Sequence, residues 1–335
     1  MHILMYADRP AGLGGIETHL AALSKELARL GIEVTVAFNE IRRSGTFDGA
    51  KALGVRVAQL ERHDLNAFVA GTKVDVFHAH SCGAAEWGIR NAGTLGLSLV
   101  VTLHGPDQRL PSSLGMIDKV IAVSDETARP LLHLGERVVV IENGIDLARF
   151  APAKANISPR RVDAGPLSAA YLGRVGPAKR LGIEALHKAI GARSDIEIRY
   201  VSDWAPHGTP QPTNDPARVL QRMDIVFTTG RGVREAMACG AAACVLGVFW
   251  DGLVTPESFD RLRFHNFSGR ASRLRPSQSA IAQTVYSLIS DRRRLAELQR
   301  FGIECAARHW DVRKQAALTL RVYEEVIAAR GIMKT

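Results

Sequence analysis

The chain has 335 residues, 46% hydrophobic and 23% charged, with 43 Lys and Arg against 34 Asp and Glu for a formal charge of +9. That length and balance suit two soluble globular domains and exclude a fibrous or disordered chain, while the excess of cations favours anionic partners such as nucleotides and phosphates. No apolar run is long enough to span a membrane, and no RNA- or DNA-binding signature appears, so no nucleic-acid partner is expected.

The four cysteines (Cys82, Cys239, Cys244, Cys305) lack CxxC or metal-finger spacing and read as small buried thiols of a cytoplasmic protein. Met1 to Tyr6 lacks the charged-then-apolar pattern of a signal peptide, in keeping with that expectation.

In chain order, His2–Tyr6 reads as a buried strand leading into a Gly- and Pro-rich loop from Asp8 to Glu17. Ile16, Leu20, Leu23, Leu27 and Leu30 recur at helical spacing up to Gly31, and Glu33–Phe38 supplies the next strand. This is a βαβ unit whose glycine loop opens the helix, where open α/β sheets bind ligands. Gly14 and Gly15 allow a ligand close to the backbone, but the loop is not G-x-G-x-x-G, which leaves a nicotinamide-dependent dehydrogenase without its fingerprint.

Two further strands, Asp75–His80 and Leu97–Leu103, end in histidines: His78 and His80, and His104 before Gly105. Each reads either as a satisfied structural histidine or as a group facing the ligand crevice. His78 and His80 have no third metal ligand near them in sequence, so no metal is expected. Lys119–Val123 and Val138–Ile141 continue the series into Glu142-Asn143-Gly144-Ile145-Asp146, and the small, polar stretch 151–166 marks the domain boundary.

The alternation restarts with an apolar run at Ser168–Leu172, the turn Gly173-Arg174-Val175-Gly176-Pro177-Ala178-Lys179-Arg180 and a helix carrying Leu181, Leu186 and Ile190. Two cations five positions apart at a helix N-terminus make either a basic surface turn or a phosphate site. In the second case the guanidinium grips oxygens in parallel bonds and the ammonium adds a point charge. Ile196–Val201 and Asp224–Phe227 are strands. Thr228-Thr229-Gly230-Arg231-Gly232 follows, then a helical piece from Arg234 to Gly240 with Glu235 in its first turn. Glu235 reads either as a helix-dipole carboxylate or as an acceptor for ribose hydroxyls. Ala242–Leu246 is a strand, and a helix through Ile281–Ile289 has Arg292–Arg294 as its solvated end. A last helix spans Val312–Ala329.

Together these segments resemble the retaining glycosyltransferases of family 4. The resemblance rests on Gly14-Gly15-Ile-Glu17-x-His19, His104-Gly105, Asn143-Gly144-Ile145-Asp146 with Phe150, Gly173-Arg174-x4-Lys179, Glu235-Ala-Met-Ala-x-Gly240, and Trp310 with Tyr323. It implies an α/β chain of GT-B architecture, with two Rossmann-like domains facing across a deep cleft. The expected parts are an acceptor domain over 1–152, a nucleotide-sugar domain over 166–310, and a C-terminal helix over 311–335 that packs back on the first domain.

Carried over residue by residue, the resemblance makes Arg174 and Lys179 the diphosphate clamp, helped by the Gly15 N–H, gives Glu235 the ribose, and gives His104 the donor sugar. Gly14, Gly173, Thr228, Thr229, Gly230, Arg231, Gly232 and Asn143 would complete the donor site, and Glu17, His19 and His80 would meet the acceptor. The implied reaction moves a hexosyl unit from a UDP- or GDP-linked donor to a glycan, glycolipid or small-molecule hydroxyl. It retains anomeric configuration by front-face displacement, with no cofactor and no metal.

Two departures stand out. The family carries a glutamate eight positions before Glu235, where this chain has Phe227, and the stretch from Val201 to Asp224 is short. The absent glutamate leaves room for a GT-B partner subunit that has lost catalysis, and a nucleotide-sugar epimerase of the same fold is a further alternative. Arg42, Arg43, Lys51, Arg56 and Arg62 read either as a face for peripheral contact with an anionic membrane or as solvated cations.

Overall fold

The computed structural model describes residues 1–12, 14–42, 45–108, 110, 114–153, 165–213 and 215–333. The chain forms two compact units, Met1–Gly144 with Val312–Thr335, and Ile145–Asp311. The segment Ile145–Phe150, placed with the first domain on sequence, thus falls in the second, where Ile145 and Phe150 are core residues. Residues 154–164, within the expected linker, lie outside the described residues, as does Arg43.

In the first unit, β1 (His2–Ala11), β2 (Glu33–Ile41), β3 (Arg56–Gln59), β4 (Val76–Ala79), β5 (Ser98–Leu103), β6 (Lys119–Ala122) and β7 (Val138–Val140) form one sheet in the order β3-β2-β1-β4-β5-β6-β7. Its pairings are parallel. The run Ile3–Ala7 is buried throughout, as a strand covered on both faces must be. β1 continues through Pro10 and Ala11 into the stretch expected to be loop, its register slipping between Ala7 and Pro10. Pro10 sits just past that irregularity, a place where a strand tolerates the loss of an N–H.

The helix Gly15–Arg29 buries Leu20, Leu23 and Leu27, worth about 1.5–3 kcal/mol each. The helix Val312–Met333 contributes Ala316, Val322, Tyr323 and Val326 to the same cluster. That last helix therefore belongs to the first unit. The return of the chain explains one glycine: a Cβ on Gly144 would lie 2.6 Å from the Val312 Cα. In the second unit, next along the chain, Ile145 bridges to Asp311 and donates its N–H to the Trp310 carbonyl at 2.6 Å.

The second unit holds β8 (Leu167–Leu172), β9 (Ile196–Val201), β10 (Ile225–Thr228), β11 (Ala242–Leu246) and β12 (Trp250–Leu253), in the order β12-β11-β10-β8-β9. Only β12 runs antiparallel. Both sheets reverse their strand order once, between β1 and β4 and between β8 and β10. Crevices for ligands open at the carboxyl ends of such strands.

Four expectations change. Arg292–Arg294 opens an 18-residue helix, Arg292–His309, in place of ending the previous one, because Asp291 accepts the Arg294 N–H at 2.9 Å and caps a new start. Leu181 is exposed, and the helix Pro177–Ile190 buries Ile183, Leu186 and Ile190. Cys82 is exposed at the first position of the helix Cys82–Asn91, while the other three cysteines are buried. The short strands β3 and β12 were not anticipated: β3 has no fully buried residue, and Gly252 interrupts β12.

Candidate functional site

In the second unit the expected phosphate turn follows β8. Gly173 has φ +142°, in the region only glycine adopts without strain, and its N–H donates to the Val201 carbonyl at 3.2 Å. The Val175 N–H donates to Asp203 Oδ1 at 2.8 Å, which fixes the bend. The helix Pro177–Ile190 then starts with proline in its first turn, and no side chain caps it at Gly176. Its N-terminal dipole is thus free for an anion.

Arg174 is exposed and Lys179 partly buried, and neither forms an ion pair with a carboxylate among the described residues. Burial lowers the Lys179 pKa, the Arg174 charge lowers it further, and Asp203 opposes both. The two cations are therefore neighbours, and Arg174 disfavours the charge on Lys179 until an anion arrives.

Beside this turn in the sheet, β10 ends at Thr228. Gly230 has φ +60° and donates its N–H to the Phe267 carbonyl at 2.8 Å. The next helix runs Arg231–Ala238, so Glu235 stands in its second turn, not its first. Arg231 donates from Nε to Glu235 Oε1 at 2.7 Å, and both side chains are 9% exposed. Burial raises the Glu235 pKa, and Arg231 acts against that rise. Arg231, expected as a further cation for the diphosphate, is instead tied to the carboxylate four residues on.

Thr228 is 2% exposed, and a Cβ on Gly232 would overlap its Oγ1. The hydroxyl lies under the helix start, while Thr229 and Gly230 remain partly exposed. Phe227, at the place of the absent glutamate, is fully buried in the sheet core with its ring 6.4 Å from Trp250. Position 227 thus faces the interior, and the loop proper begins after it.

Sequence reasoning passed over Arg234. Its guanidinium is fully buried against the rings of Phe267 and Trp310, 5.4 and 5.3 Å from their centroids, and Nη1 donates to Asn266 Oδ1 at 2.7 Å. The alternation of Arg234 with apolar neighbours on a short helix was the available signal.

In the first unit, residues gather at the carboxyl ends of β1, β4 and β5. Gly14 is extended at φ −163° and caps the helix Gly15–Arg29 without a side-chain bond. A Cβ on Gly15 would meet nothing within 4 Å, so the backbone there is open. Glu17 is 1% exposed; Oε1 accepts from the Gly12 N–H at 3.3 Å and lies 3.6 Å from Arg9, and Oε2 has no partner among the described residues. Asn143 is likewise buried, with no partner for Oδ1 among the described residues.

His78 and His80 share one face of β4, as residues two apart on a strand must, with ring centroids 4.0 Å apart. His80 Nδ1 lies 3.1 Å from His104 Nε2, and the His19 ring is 5.9 Å from His80 and 5.4 Å from His104. His78 bonds Tyr323 and Thr102 and is structural. Burial pushes the pKa of His78 down to about 3, helped by His104, and that of His80 well below the usual value. Burial and the Arg9 charge take His104 to about 3. These imidazoles are neutral at physiological pH. His80, expected to meet an acceptor, is fully buried and cannot be reached, whereas His104 is partly exposed.

Among the described residues no three His, Cys, Asp or Glu side chains are grouped to hold a metal ion, and no helix is long and apolar enough to cross a membrane. A cavity of about 470 Å³, missed on sequence, is lined by Asp8, Asn39, Glu40, Gln59, Arg62 and their neighbours. Arg62 pairs with Asp8, and Arg42 with Glu40 at 3.0 Å, so two of the cations considered for a membrane face are matched by carboxylates.

Residues 13–149 match the model of Glycosyltransferase Family 4. The chain is 25% identical over 269 residues to the D-inositol 3-phosphate glycosyltransferase of Kineococcus radiotolerans, a match spanning 64% of this chain and 62% of that relative. Among solved structures it is similar to the sucrose-phosphate synthase of Thermosynechococcus elongatus (TM-score 0.71, 15% identity, 98% of this chain and 100% of that one). It is also similar to Anabaena HepE in complex with UDP-glucose (TM-score 0.65, 18% identity, 95% and 99%). These matches bear out the family 4 resemblance and the GT-B fold read from the motifs.

Proposed function

We propose that this chain, whose residues 13–149 carry the family 4 signature, transfers a hexosyl unit from a nucleotide-sugar to an acceptor hydroxyl with retention of configuration and without a metal ion. The observation that carries the reading is the pair Arg174 and Lys179. They are cations that form no ion pair with a carboxylate among the described residues, set at an uncapped helix start where strand order reverses. The structural neighbour in complex with UDP-glucose supports a nucleotide-sugar donor, and we take that donor to be UDP- or GDP-linked.

Breaking the sugar–phosphate bond places new charge on the departing diphosphate. Cations already fixed in place stabilise that charge more in the transition state than in the ground state, and need no reorganisation. The diphosphate in turn stabilises the charged form of Lys179, which burial and Arg174 disfavour. Glu235, held at one oxygen by Arg231, offers the other to ribose hydroxyls. His104, neutral and partly exposed, contacts the donor sugar, and His19 serves the acceptor, while Glu17, 1% exposed, is as closed to it as His80. No side chain acts as nucleophile; the leaving phosphate oxygen takes the acceptor's proton on the face it departs from. We place the reaction in the cytoplasm, with the acceptor a glycan, glycolipid or small molecule.

The test is a panel of UDP-, GDP- and ADP-hexoses with simple sugar acceptors, in EDTA, with the product anomer read by NMR. Transfer with the donor's configuration kept is expected; inversion, or dependence on added metal, contradicts the mechanism. The burial of Phe227 in place of a carboxylate favours a second reading, a nucleotide-binding subunit without catalysis. That reading predicts calorimetric binding of a nucleoside diphosphate and no sugar release from any donor.

A further inference from the structure

The imidazole nitrogens behind His104 can be accounted for one by one. His78 has both engaged, Nδ1 with the Tyr323 hydroxyl at 2.6 Å and Nε2 with Thr102 Oγ1 at 2.7 Å. His80 has Nδ1 3.1 Å from His104 Nε2, while its Nε2 is buried with no hydrogen-bond partner among the described residues. A neutral imidazole carries one N–H and one bare nitrogen. A proton on His80 Nε2 would bury an unpaired donor and forfeit the bond to His104, or make it depend on His104 donating. A proton on His80 Nδ1 leaves only a lone pair unmatched, the milder defect, and makes the bond.

The proton of His80 therefore sits on Nδ1 and is donated to His104 Nε2. His104 then carries its own proton on Nδ1, the nitrogen with no protein partner among the described residues. The surroundings keep both rings neutral: His19 and His78 flank His80, Arg9 acts on His104, and all of these disfavour a positive charge.

We infer that His80 is a positioning residue that fixes His104 as its Nδ1–H tautomer, so that His104 meets the donor sugar as a hydrogen-bond donor to a hydroxyl oxygen. The contact with sugar rests on the function proposed above; the tautomer rests on the packing alone. A role in orienting another residue also accounts for a histidine that no acceptor can touch.

The experiment is a two-bond ¹H–¹⁵N correlation spectrum of the full chain labelled in histidine, with His104→Gln identifying the His104 signals. A protonated Nδ1 and a bare Nε2 on His104 at neutral pH are expected; protonation at Nε2, or an imidazolium, overturns the inference. His80→Phe keeps a ring and removes the donor that favours His104 Nδ1–H, so His104 should show a mixture of tautomers and kcat should fall about tenfold, with donor KM moving less. His80→Asn, which returns an N–H near the lost Nδ1, should restore the parent tautomer and part of the rate. An unchanged His104 tautomer in His80→Phe refutes the mechanism, and if that variant does not fold the parent spectrum decides alone. The expected spectrum in a chain that turns over no nucleotide-sugar upholds the His80–His104 assignment and overturns the functional reading instead.

Discussion

Lys179→Met removes one charge and keeps most of the side chain's length. Two charges about 4 Å apart at an effective dielectric near 20 interact by about 4 kcal/mol, an upper figure for a partly buried ammonium facing a phosphate oxygen. Removing a single preorganised group of this kind from other enzymes costs about 3–4 kcal/mol of transition-state stabilisation. A fall in kcat/KM of roughly 10²–10³-fold is expected, carried mostly by kcat because the charge grows during the reaction. The effect on folding has the opposite sign. Burial and Arg174 lower the Lys179 pKa in the folded state, so the charged lysine destabilises the fold at neutral pH, a penalty that fades only as pH rises through the lowered folded-state pKa toward the unfolded value. Lys179→Met should therefore melt at the parent's temperature or above it. Initial rates and a thermal melt on one preparation test both. A variant that turns over donor as the parent does, or that loses stability as a packed structural lysine would, refutes the clamp.

Arg231→Met leaves the Glu235 carboxylate buried and unpaired and should cost about 3–5 kcal/mol in denaturant unfolding. Because the folded-state pKa of Glu235 is raised, that loss should shrink as pH falls toward mild acid, where the carboxyl is neutral. Phe227→Glu should fold poorly rather than restore a family carboxylate, since it puts an unpaired charge against Trp250; a soluble, more active variant would show that position 227 reaches the ligand. Gly144→Ala presses a Cβ on the Val312 backbone and should lower unfolding free energy by about 1–3 kcal/mol. His78, His80 and His104 have folded pKa values below the unfolded one, so the stability they contribute is whole above about 6.5 and is lost as pH falls toward 3. Acid titration followed by circular dichroism should show His78→Gln flattening that slope.

What could be read from the sequence divides along physical lines. The buried strands β1, β5, β8, β10 and β11 announce themselves as apolar runs, and the turn at Gly173 shows because a left-handed φ demands glycine. The proposed clamp was visible for the same reason, cations bracketing a glycine turn before a helix. β3 and β12 were not, since edge strands four residues long carry little pattern. The partners of charged groups were also hidden. Nothing local says that Arg231 turns to Glu235, that Arg62 reaches back to Asp8, or that Arg234 packs against rings from residues 267 and 310. The histidine cluster lay between these cases: two-residue spacing put His78 and His80 on one face, but only the parallel pairing of β4 with β5 brings His104 beside them.

Whether Arg174 and Lys179 together hold a diphosphate is decided by isothermal titration with UDP, GDP and the corresponding monophosphates. The parent is expected to bind one of the diphosphates clearly more tightly than its monophosphate. Combining Arg174→Ala with Lys179→Met is expected to abolish that difference while the protein stays folded. A preference for the diphosphate that survives the loss of both cations would contradict the proposed clamp.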